Sequence, residues 1–274
     1  MTEIAVSVIL PCFRSTPVAL RTAEVLAAYL PTVFPTWELI VVDDGENEFG
    51  TAPLPDADNV RLITHSRNLG KGAAVRTGML AARGRIRIFT DIDMPYDREL
   101  LPVLADYIDR SGFHLVIGDR TLPGSHYAAA TSPARRMLSA VASRVIGSLV
   151  TGGFFDTQCG IKAMRGDVAD ALFPMIRTRR FAFDVEIVYL ALKHGLDVKR
   201  VPVHLRRNLE SSVRPFPDAV RSAIDILAIK LRQLRREYDN PELAAIIFDE
   251  HARALARNHS LPTSAPTDRS ESTR

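Results

Sequence analysis

Residues 39–45 read Leu39-Ile40-Val41-Val42-Asp43-Asp44-Gly45, an apolar run that ends in two acids and a glycine. Four consecutive apolar residues are typical of a strand that is buried on both faces of a parallel sheet. The acids then lie at the carboxyl end of that strand, where open α/β sheets bind their ligands. Because Asp and Gly also favour tight turns, a strand-ending turn is the alternative interpretation.

Comparable apolar runs alternate with longer amphipathic stretches through the first half of the chain. The predicted strands are Ile4 to Leu10, Trp37 to Val42, Val60 to Thr64, Ile86 to Phe89 and His114 to Ile117. The predicted helices are Pro17 to Tyr29, Gly72 to Ala82, Arg98 to Asp109 and Pro133 to Leu149. This alternation predicts an α/β fold with a Rossmann-like, mostly parallel sheet flanked by helices.

The second half is predicted to complete the same domain, which we assign to residues 1–238. Its predicted strands are Cys159 to Met164 and Val198 to Leu205. Its predicted helices are Asp167 to Phe173, Asp184 to His194 and Phe216 to Tyr238. Residues 239–258 are predicted to form a helical extension. Residues 259–274 are rich in Ser, Thr and Pro and are predicted to be disordered.

The helix predicted at Phe216 to Tyr238 carries an apolar stripe with basic residues at other positions. The stripe consists of Val220, Ile224, Leu227, Leu231 and Leu234. Such a helix either packs on the body of the domain or lies on a membrane surface. Both interpretations stay open at the level of the sequence.

The composition is that of an ordinary soluble protein, with 274 residues, a net charge of +3 and two cysteines. Two cysteines without zinc-site spacing exclude a disulfide scaffold and a structural zinc centre. Local clusters of arginine and lysine favour phosphate groups, and not nucleic acid, as the partner. With no basic leader and no apolar run long enough to cross a bilayer, we expect a cytoplasmic protein.

A second pair of acids, Asp91 and Asp93, follows the predicted strand Ile86 to Phe89. Two acids two positions apart project to the same side of an extended chain, so they can share one cation. Carboxylate oxygens suit Mg²⁺ or Mn²⁺, which also bind substrate phosphates. The alternative is that both acids are solvated or cap the helix near Arg98.

Three further motifs carry polar groups next to predicted strands or helices. Gly70-Lys71-Gly72 offers backbone amides and a cation at a helix start, although it lacks the spacing of a Walker loop. Phe155-Asp156-Thr157-Gln158-Cys159-Gly160 precedes a strand. Phe183-Asp184-Val185-Glu186 opens a helix, where Asp184 is expected to be the N-cap and Glu186 is either a solvated first-turn acid or functional.

Taken in order, these motifs resemble the family 2 glycosyltransferases, and among them the dolichyl or polyprenyl phosphate sugar synthases. The resemblance covers about Ile4 to Leu234 and includes Val6-Ser7-Val8-Ile9-Leu10-Pro11 and Asp156-Thr157-Gln158-Cys159-Gly160-Ile161-Lys162. It implies a GT-A fold and a hexosyltransferase that uses a metal ion and a nucleotide-sugar donor, UDP-glucose or GDP-mannose. Relatives carry terminal membrane spans that we do not find in this sequence.

The resemblance also implies which residues form the site. Pro11 and Asp44 would line the nucleoside pocket, with Asp43 beside them as a further donor ligand and Lys71 and Gly72 continuing it. Asp91 would contact the donor and share the metal with Asp93. The implied catalytic residues are Arg120, Asp156 and Gln158, near the phosphates and the sugar. Pro95 stands where some mannosyl relatives carry a glutamine that looks like a third metal ligand.

The expected reaction is a single displacement with inversion at the sugar. If the acceptor is a polyprenyl phosphate, its dianionic oxygen needs no strong base, and Arg206 and Arg207 are expected to hold it. The enzyme would then work peripherally at the cytoplasmic face of a membrane. If the acceptor is a hydroxyl of a soluble metabolite, Asp156 or Glu186 must take its proton. A nucleotide-sugar sensor without turnover is a third hypothesis.

Overall fold

The computed structural model describes residues 3–45, 49–50, 54–55, 58–127, 156–205 and 215–247. Its strands are β1 (Val6–Cys12), β2 (Trp37–Asp43), β3 (Val60–Thr64), β4 (Ile86–Phe89), β5 (Leu115–Asp119), β6 (His126–Tyr127), β7 (Lys162–Arg165), β8 (Val198–Pro202) and β9 (His204–Leu205). Its helices are α1 (Thr16–Val33), α2 (Lys71–Ala81), α3 (Leu100–Asp109), α4 (Gly166–Leu172), α5 (Phe183–Lys193) and α6 (Pro215–Leu234). A 3₁₀ turn spans Phe173–Met175, and residues 241–247 are helical.

Seven strands form one sheet in the order β3-β2-β1-β4-β7-β5-β8, and β6 pairs with β9 in a small second sheet. All pairs in the large sheet are parallel except those of β7, which is antiparallel to both β4 and β5. The predicted mostly parallel sheet is therefore confirmed. The predicted helix Pro133 to Leu149 lies outside the described residues.

The direction of β7 has a consequence for the edge of the sheet at which the parallel strands end. Because β7 runs against β4, Lys162 at the start of β7 is opposite Phe89 at the end of β4. The motif that precedes β7 is thus brought next to the acids that follow β4. The sequence pattern predicted the strand but not its direction.

Two hydrophobic cores cover the two faces of the sheet, and successive residues of β1 alternate between them. Ile9 packs with residues of α2, α4 and α5, whereas Val8 and Leu10 pack with residues of α1 and α3. This alternation follows from the two-residue period of a strand. It also explains why β1 and β2 are buried on both faces, as the apolar run Leu39 to Val42 predicted for β2.

Helix α6 ends at Leu234, earlier than predicted, and Arg236 just beyond it adopts a left-handed conformation with φ 57°. Within the predicted apolar stripe, Ile224 is 62% exposed and Leu234 is 79% exposed, so these two residues do not pack on the domain. Packing is provided by Ile229, which is fully buried, on another face of the helix. Across the described ranges, we find no helix with the length and apolarity needed to cross a bilayer.

Candidate active site

Asp91 and Asp93 follow β4 at the edge of the sheet where the parallel strands end, and the ammonium of Lys71 donates a hydrogen bond to Asp91. Lys71 is the first residue of α2. Burial alone would lower the pKa of Lys71, but the attraction of Asp91, Asp184 and Asp93 outweighs burial and raises that pKa. The pKa of Asp93 is raised by burial and by the nearby charge of Asp91. Two acids that repel each other beside one ammonium are suited to share a cation.

Gly160, the last residue of the 156–160 motif, lies directly against the carboxylate of Asp91. A Cβ atom at Gly160 would lie 1.9 Å from Asp91 Oδ2, so only glycine leaves the carboxylate in place. The amide of Gly160 donates a hydrogen bond of 3.1 Å to the hydroxyl of Tyr96, and the thiol of Cys159 donates another of 3.2 Å. Burial raises the pKa of Cys159 to about 11, so this thiol is neutral at physiological pH.

A second ion pair, between Lys162 and Asp184, lies beneath the first. The side chains of Lys162 and Asp184 are 1% and 4% exposed, and Lys162 also donates to the carbonyl of Cys159 at 2.8 Å. Burial raises the pKa of Asp184 against the opposing attraction of Lys162 and Lys71. The expectation that Asp184 is an N-cap was wrong: Ala182 occupies that position, and the Asp184 carboxylate binds Lys162.

Arg120 and Asp156 form a two-point ion pair at the start of the 156–160 motif. Arg120 Nε and Nη2 donate to the two carboxylate oxygens at 2.9 and 2.6 Å, and the Arg120 amide donates at 2.7 Å. Burial alone would raise the pKa of Asp156, but the bonds and the charge of Arg120 outweigh burial and lower it. Asp156 is therefore a buried, ionised and weakly basic carboxylate.

The remaining residues of the predicted catalytic and acceptor sets differ in position. Gln158 is exposed, two residues from Asp156. Arg206 and Arg207 lie outside the described residues, so their contact with an acceptor phosphate stays a prediction. Helix α5, strand β7 and the end of β4 together bring Asp91, Lys162 and Asp184 into one charged cluster.

The residues predicted to line the nucleoside pocket lie at the ends of β1 and β2 and the start of α2. Pro11 is opposite Val42 in the sheet, and Asp43 is buried as the last residue of β2. The Asp44 carboxylate accepts hydrogen bonds from the amides of Leu69 and Gly70 at 2.9 and 2.8 Å. Asp44 therefore holds the loop that leads into α2, and its contact with a nucleoside stays a prediction.

Gly72 has a packing role that the sequence pattern did not indicate. A Cβ atom there would lie 2.7 Å from both the Phe183 Cβ and the Thr178 carbonyl. Only a residue without a side chain allows the first turn of α2 to approach the segment before α5 this closely. The predicted role of Gly72 in the nucleoside pocket is untested by this contact.

The interpretation of Glu186 as a solvated first-turn acid was wrong. Glu186 is fully buried, and it accepts hydrogen bonds from the hydroxyl of Tyr238 and from the amides of Arg177 and Thr178. The bond from the Thr178 amide is 2.8 Å long. A carboxylate with these partners fixes the main chain of the segment before α5.

Sequence reasoning missed two residues of this site, Lys162 and Tyr96. Lys162 is the one charged residue of the predicted strand Cys159 to Met164, and a lone cation in such a strand is a signal that a buried acid pairs with it. Tyr96 gave no comparable signal, because its hydroxyl meets Cys159 and Gly160 only in the folded chain. A cavity of about 250 Å³, also lined by Arg21 and Arg98, separates Tyr96 and Asp93 from α1.

The carboxylates of Asp91 and Asp93 suit a hard divalent cation, although two side chains are a small number of ligands. Within the ranges that the structure describes, no cluster of three or more His, Cys, Asp or Glu side chains could hold a metal ion. Asp91 and Asp93 supply only carboxylate oxygens, and the Asp91 side chain is 30% exposed. Such a pair suits Mg²⁺ or Mn²⁺, which complete their shells with water or substrate phosphate.

Similar sequences include dolichyl-phosphate beta-glucosyltransferases. The chain is 32% identical to that of Dictyostelium discoideum over 210 residues, which cover 73% of this chain and 64% of the relative. It is 26% identical to that of Saccharomyces cerevisiae over 257 residues, covering 85% of this chain and 76% of the relative. The chain thus spans somewhat less than two thirds of the length of the Dictyostelium relative.

Similar solved structures include two sugar-phosphoglycerate synthases. Mannosyl-3-phosphoglycerate synthase from Rubrobacter xylanophilus superposes with a TM-score of 0.61 at 18% identity, covering 85% of this chain and 75% of that one. Glucosyl-3-phosphoglycerate synthase from Mycobacterium tuberculosis, solved with Mn²⁺, UDP-glucose and phosphoglyceric acid, gives 0.57 at 17% identity, covering 83% and 79%. These likenesses confirm the expected GT-A fold.

The family model for glycosyl transferase family 2 matches residues 7–173. That match begins in β1 and continues through β7 and α4 to Phe173, so it includes the acids after β4, Lys71 and the Arg120–Asp156 pair. More than half of the chain is covered. The chain belongs to glycosyl transferase family 2.

Proposed function

We propose that this chain transfers glucose from UDP-glucose to a dolichyl or other polyprenyl phosphate, with Mg²⁺ or Mn²⁺ held by Asp91 and Asp93. Support for the sugar and the acceptor comes from the similarity to dolichyl-phosphate beta-glucosyltransferases. Support for the donor comes from the shared fold with a synthase solved with UDP-glucose. The contacts of Asp156 carry the argument for a phosphate acceptor.

Transfer to a hydroxyl requires a carboxylate that can take a proton, whereas transfer to a phosphate dianion does not. The two acids considered as bases are poor ones. Asp156 has a lowered pKa and both of its oxygens bound by Arg120. Glu186 is fully buried and fixes a main-chain segment. A nucleophile that is already ionised suits such a site.

The leaving diphosphate needs compensation for the negative charge that it gains. When bound, a divalent cation supplies much of that compensation by binding the phosphate oxygens. Lys71 adds a fixed positive charge, since its pKa is raised and it stays protonated. A cation at Asp91 would release the Lys71 ammonium from that carboxylate, so that Lys71 can contact the diphosphate.

The acceptor would approach from the side of Arg120, whose side chain is 34% exposed although it pairs with Asp156. We propose that Arg206 and Arg207 add further charge to this side and that the reaction inverts the anomeric centre. For a polyprenyl acceptor we further propose that the enzyme works peripherally at the cytoplasmic face of a membrane.

Transfer of labelled glucose from UDP-glucose into an organic-soluble product tests the function. We expect turnover with polyprenyl phosphate and Mn²⁺ or Mg²⁺, and none with the matched polyprenol, which has the same lipid chain without the phosphate. The rate should rise with pH through about 6, where the acceptor phosphate becomes dianionic, and then level off. Turnover on 3-phosphoglycerate or another soluble alcohol, with none on any polyprenyl phosphate, would contradict the proposed acceptor. GDP-mannose is the comparison donor.

Replacing Gly160 with alanine should lower kcat/KM about a hundredfold while the protein stays folded. The new methyl group must displace the Asp91 carboxylate, and a catalytic group moved by about 1 Å costs roughly this factor. The carboxylate can rotate away, so the melting temperature should change little. Kinetics and thermal unfolding of the same preparation check this prediction.

Gly195→Ala is the matched control for that substitution. A methyl group there meets nothing within 4 Å, but the residue has φ +69°, which is strained for alanine. The control should therefore show the reverse pattern, a lower melting temperature with normal kcat/KM. Equal loss of stability and activity in both variants would argue against a specific contact between Gly160 and Asp91.

A further inference from the structure

A strongly basic cleft lies on the outer face of α2, away from Asp91. Its volume is about 400 Å³, and the residues that line it include Arg67, Arg76, Arg177 and Arg179. Among the described residues that line it, there is no acid. Four guanidinium groups around one cleft repel each other unless an anion lies between them.

The cleft is separated from the acids of the active site by the first turns of α2. Lys71 reaches Asp91, and Gly78 packs on Ile9 and Val42 of the sheet. Ala73, Arg76 and Thr77 line the cleft instead. An anion in this cleft would thus occupy a different place from a diphosphate bound at Asp91.

The segment that supplies two of the arginines is firmly held. The buried carboxylate of Glu186 accepts the amides of Arg177 and Thr178, and the amide of Ala73 donates to the carbonyl of Arg179 at 3.1 Å. Arg76 is also fixed, because its Nε donates to the carbonyl of Phe173 at 3.0 Å. Fixed main chain around free guanidinium groups is the arrangement of a preorganised binding site.

The cleft also has unused hydrogen-bonding capacity. Over the described part of the chain, no acid pairs with the guanidinium of Arg67, Arg177 or Arg179. Thr178, which is 5% exposed and lines the cleft, has a hydroxyl oxygen with no hydrogen-bond partner there. Charged donors without acceptors, next to a buried hydroxyl, fit an oxyanion.

We propose that this arginine cleft, formed by Arg67, Arg76, Arg177 and Arg179, binds a phosphate group other than the donor diphosphate. Planar guanidinium groups bind phosphate oxygens two at a time, which makes arginine the residue best suited to this ligand. The phosphate belongs either to a soluble phosphorylated compound or to the head group of an anionic lipid. This inference does not depend on the proposed glucosyl transfer.

Binding of inorganic pyrophosphate, measured by calorimetry in EDTA, tests the proposal. EDTA removes divalent cations, so that no cation held by Asp91 and Asp93 can attract pyrophosphate to the active site. We expect saturable binding to the wild type and binding at least about tenfold weaker for Arg177→Gln/Arg179→Gln. Both side chains are exposed, so this variant should fold, which circular dichroism and the melting temperature verify.

The control is Arg85→Gln/Arg110→Gln, which removes the same charge from two surface arginines paired with Asp109 and Asp106. It should bind pyrophosphate like the wild type.

A second experiment measures whether the protein floats with lipid vesicles. It compares vesicles of phosphatidylcholine alone with vesicles that also contain the anionic lipid phosphatidylglycerol. If the cleft variant loses flotation and the control variant keeps it, the ligand is a lipid phosphate. If the cleft variant loses pyrophosphate binding but floats like the wild type, the ligand is a soluble phosphate. If the cleft and control variants match the wild type in both experiments, or if the wild type binds neither probe, the proposal is wrong.

Discussion

Replacing Asp93 with asparagine should lower kcat for glucosyl transfer about a thousandfold, which is a loss of roughly 4 kcal/mol of transition-state stabilisation. Asp93 is one of the two acids of the Asp91-Ile92-Asp93 motif, so its loss leaves Asp91 alone in that motif to hold the cation. Neutral asparagine is also a weaker ligand for Mg²⁺ or Mn²⁺. Binding of Mn²⁺, followed by the spin-resonance signal of the free ion, should weaken in parallel.

The same substitution should not destabilise the protein in EDTA. The pKa of Asp93 is raised in the folded state, so the folded chain binds this proton more tightly than the unfolded chain. Its contribution to stability is present at low pH and is lost as pH rises through the raised pKa. Asparagine does not ionise, so the folded variant does not lose this stability as pH rises. Its melting temperature at neutral pH should therefore be equal to that of the wild type or higher.

Asp109→Asn, at an exposed ion pair with Arg85, is the matched control and should retain normal kcat. A wild-type enzyme that turns over at full rate in excess EDTA would contradict the metal assignment. An Asp93→Asn variant whose kcat is within a few fold of the wild-type value would also contradict it.

Strands β1, β2, β4 and β5 were predictable from the sequence because each of them is buried on both faces. Runs such as the predicted strand Ile4 to Leu10, observed as Val6–Cys12, are typical of an internal strand of an α/β sheet. The direction of β7 was not predictable, since an apolar run has the same composition in either direction. The sequence left the surroundings of the α6 stripe open for a related reason: periodicity identifies an apolar face but not whether the domain covers it.

The candidate site was predictable where acids follow strands, and less so where charges pair in the interior. The positions of Asp91 and Asp93 after β4 follow from the strand pattern alone. The partners of Asp184 and Glu186 do not, because Lys162 and Tyr238 reach them only through tertiary packing. Capping and solvation were the simpler interpretations of acids at a helix start, and tertiary contacts overrode both.

Replacing Lys162 with methionine should lower the free energy of unfolding by about 3 to 5 kcal/mol at neutral pH. Methionine keeps the length of the side chain and its contact with Phe89, where the Lys162 ammonium now lies 5.4 Å from the ring centre. The loss comes from Asp184, whose buried charge would keep, among the described residues, only the weaker attraction of Lys71. Urea unfolding measures this difference.

The deficit of this variant should depend on pH in a defined direction. Without Lys162 the pKa of Asp184, already raised by burial, rises further, so the folded variant holds the Asp184 proton more tightly than the unfolded chain does. The stability that this proton provides is complete below the unfolded pKa of about 4 and is lost as pH rises through the folded value. The deficit relative to wild type should therefore shrink on acidification.

Two comparisons separate a buried charge from a simple packing defect. Lys162→Met/Asp184→Leu removes both charges and should recover much of the lost stability, because an apolar pair no longer leaves an uncompensated carboxylate in the interior. Lys193→Met, at the exposed ion pair with Asp239, should cost under about 1 kcal/mol. If the double variant is as unstable as Lys162→Met, or if the deficit does not change with pH, the damage comes from packing, and the Lys162–Asp184 pair is not what stabilises the interior next to the site.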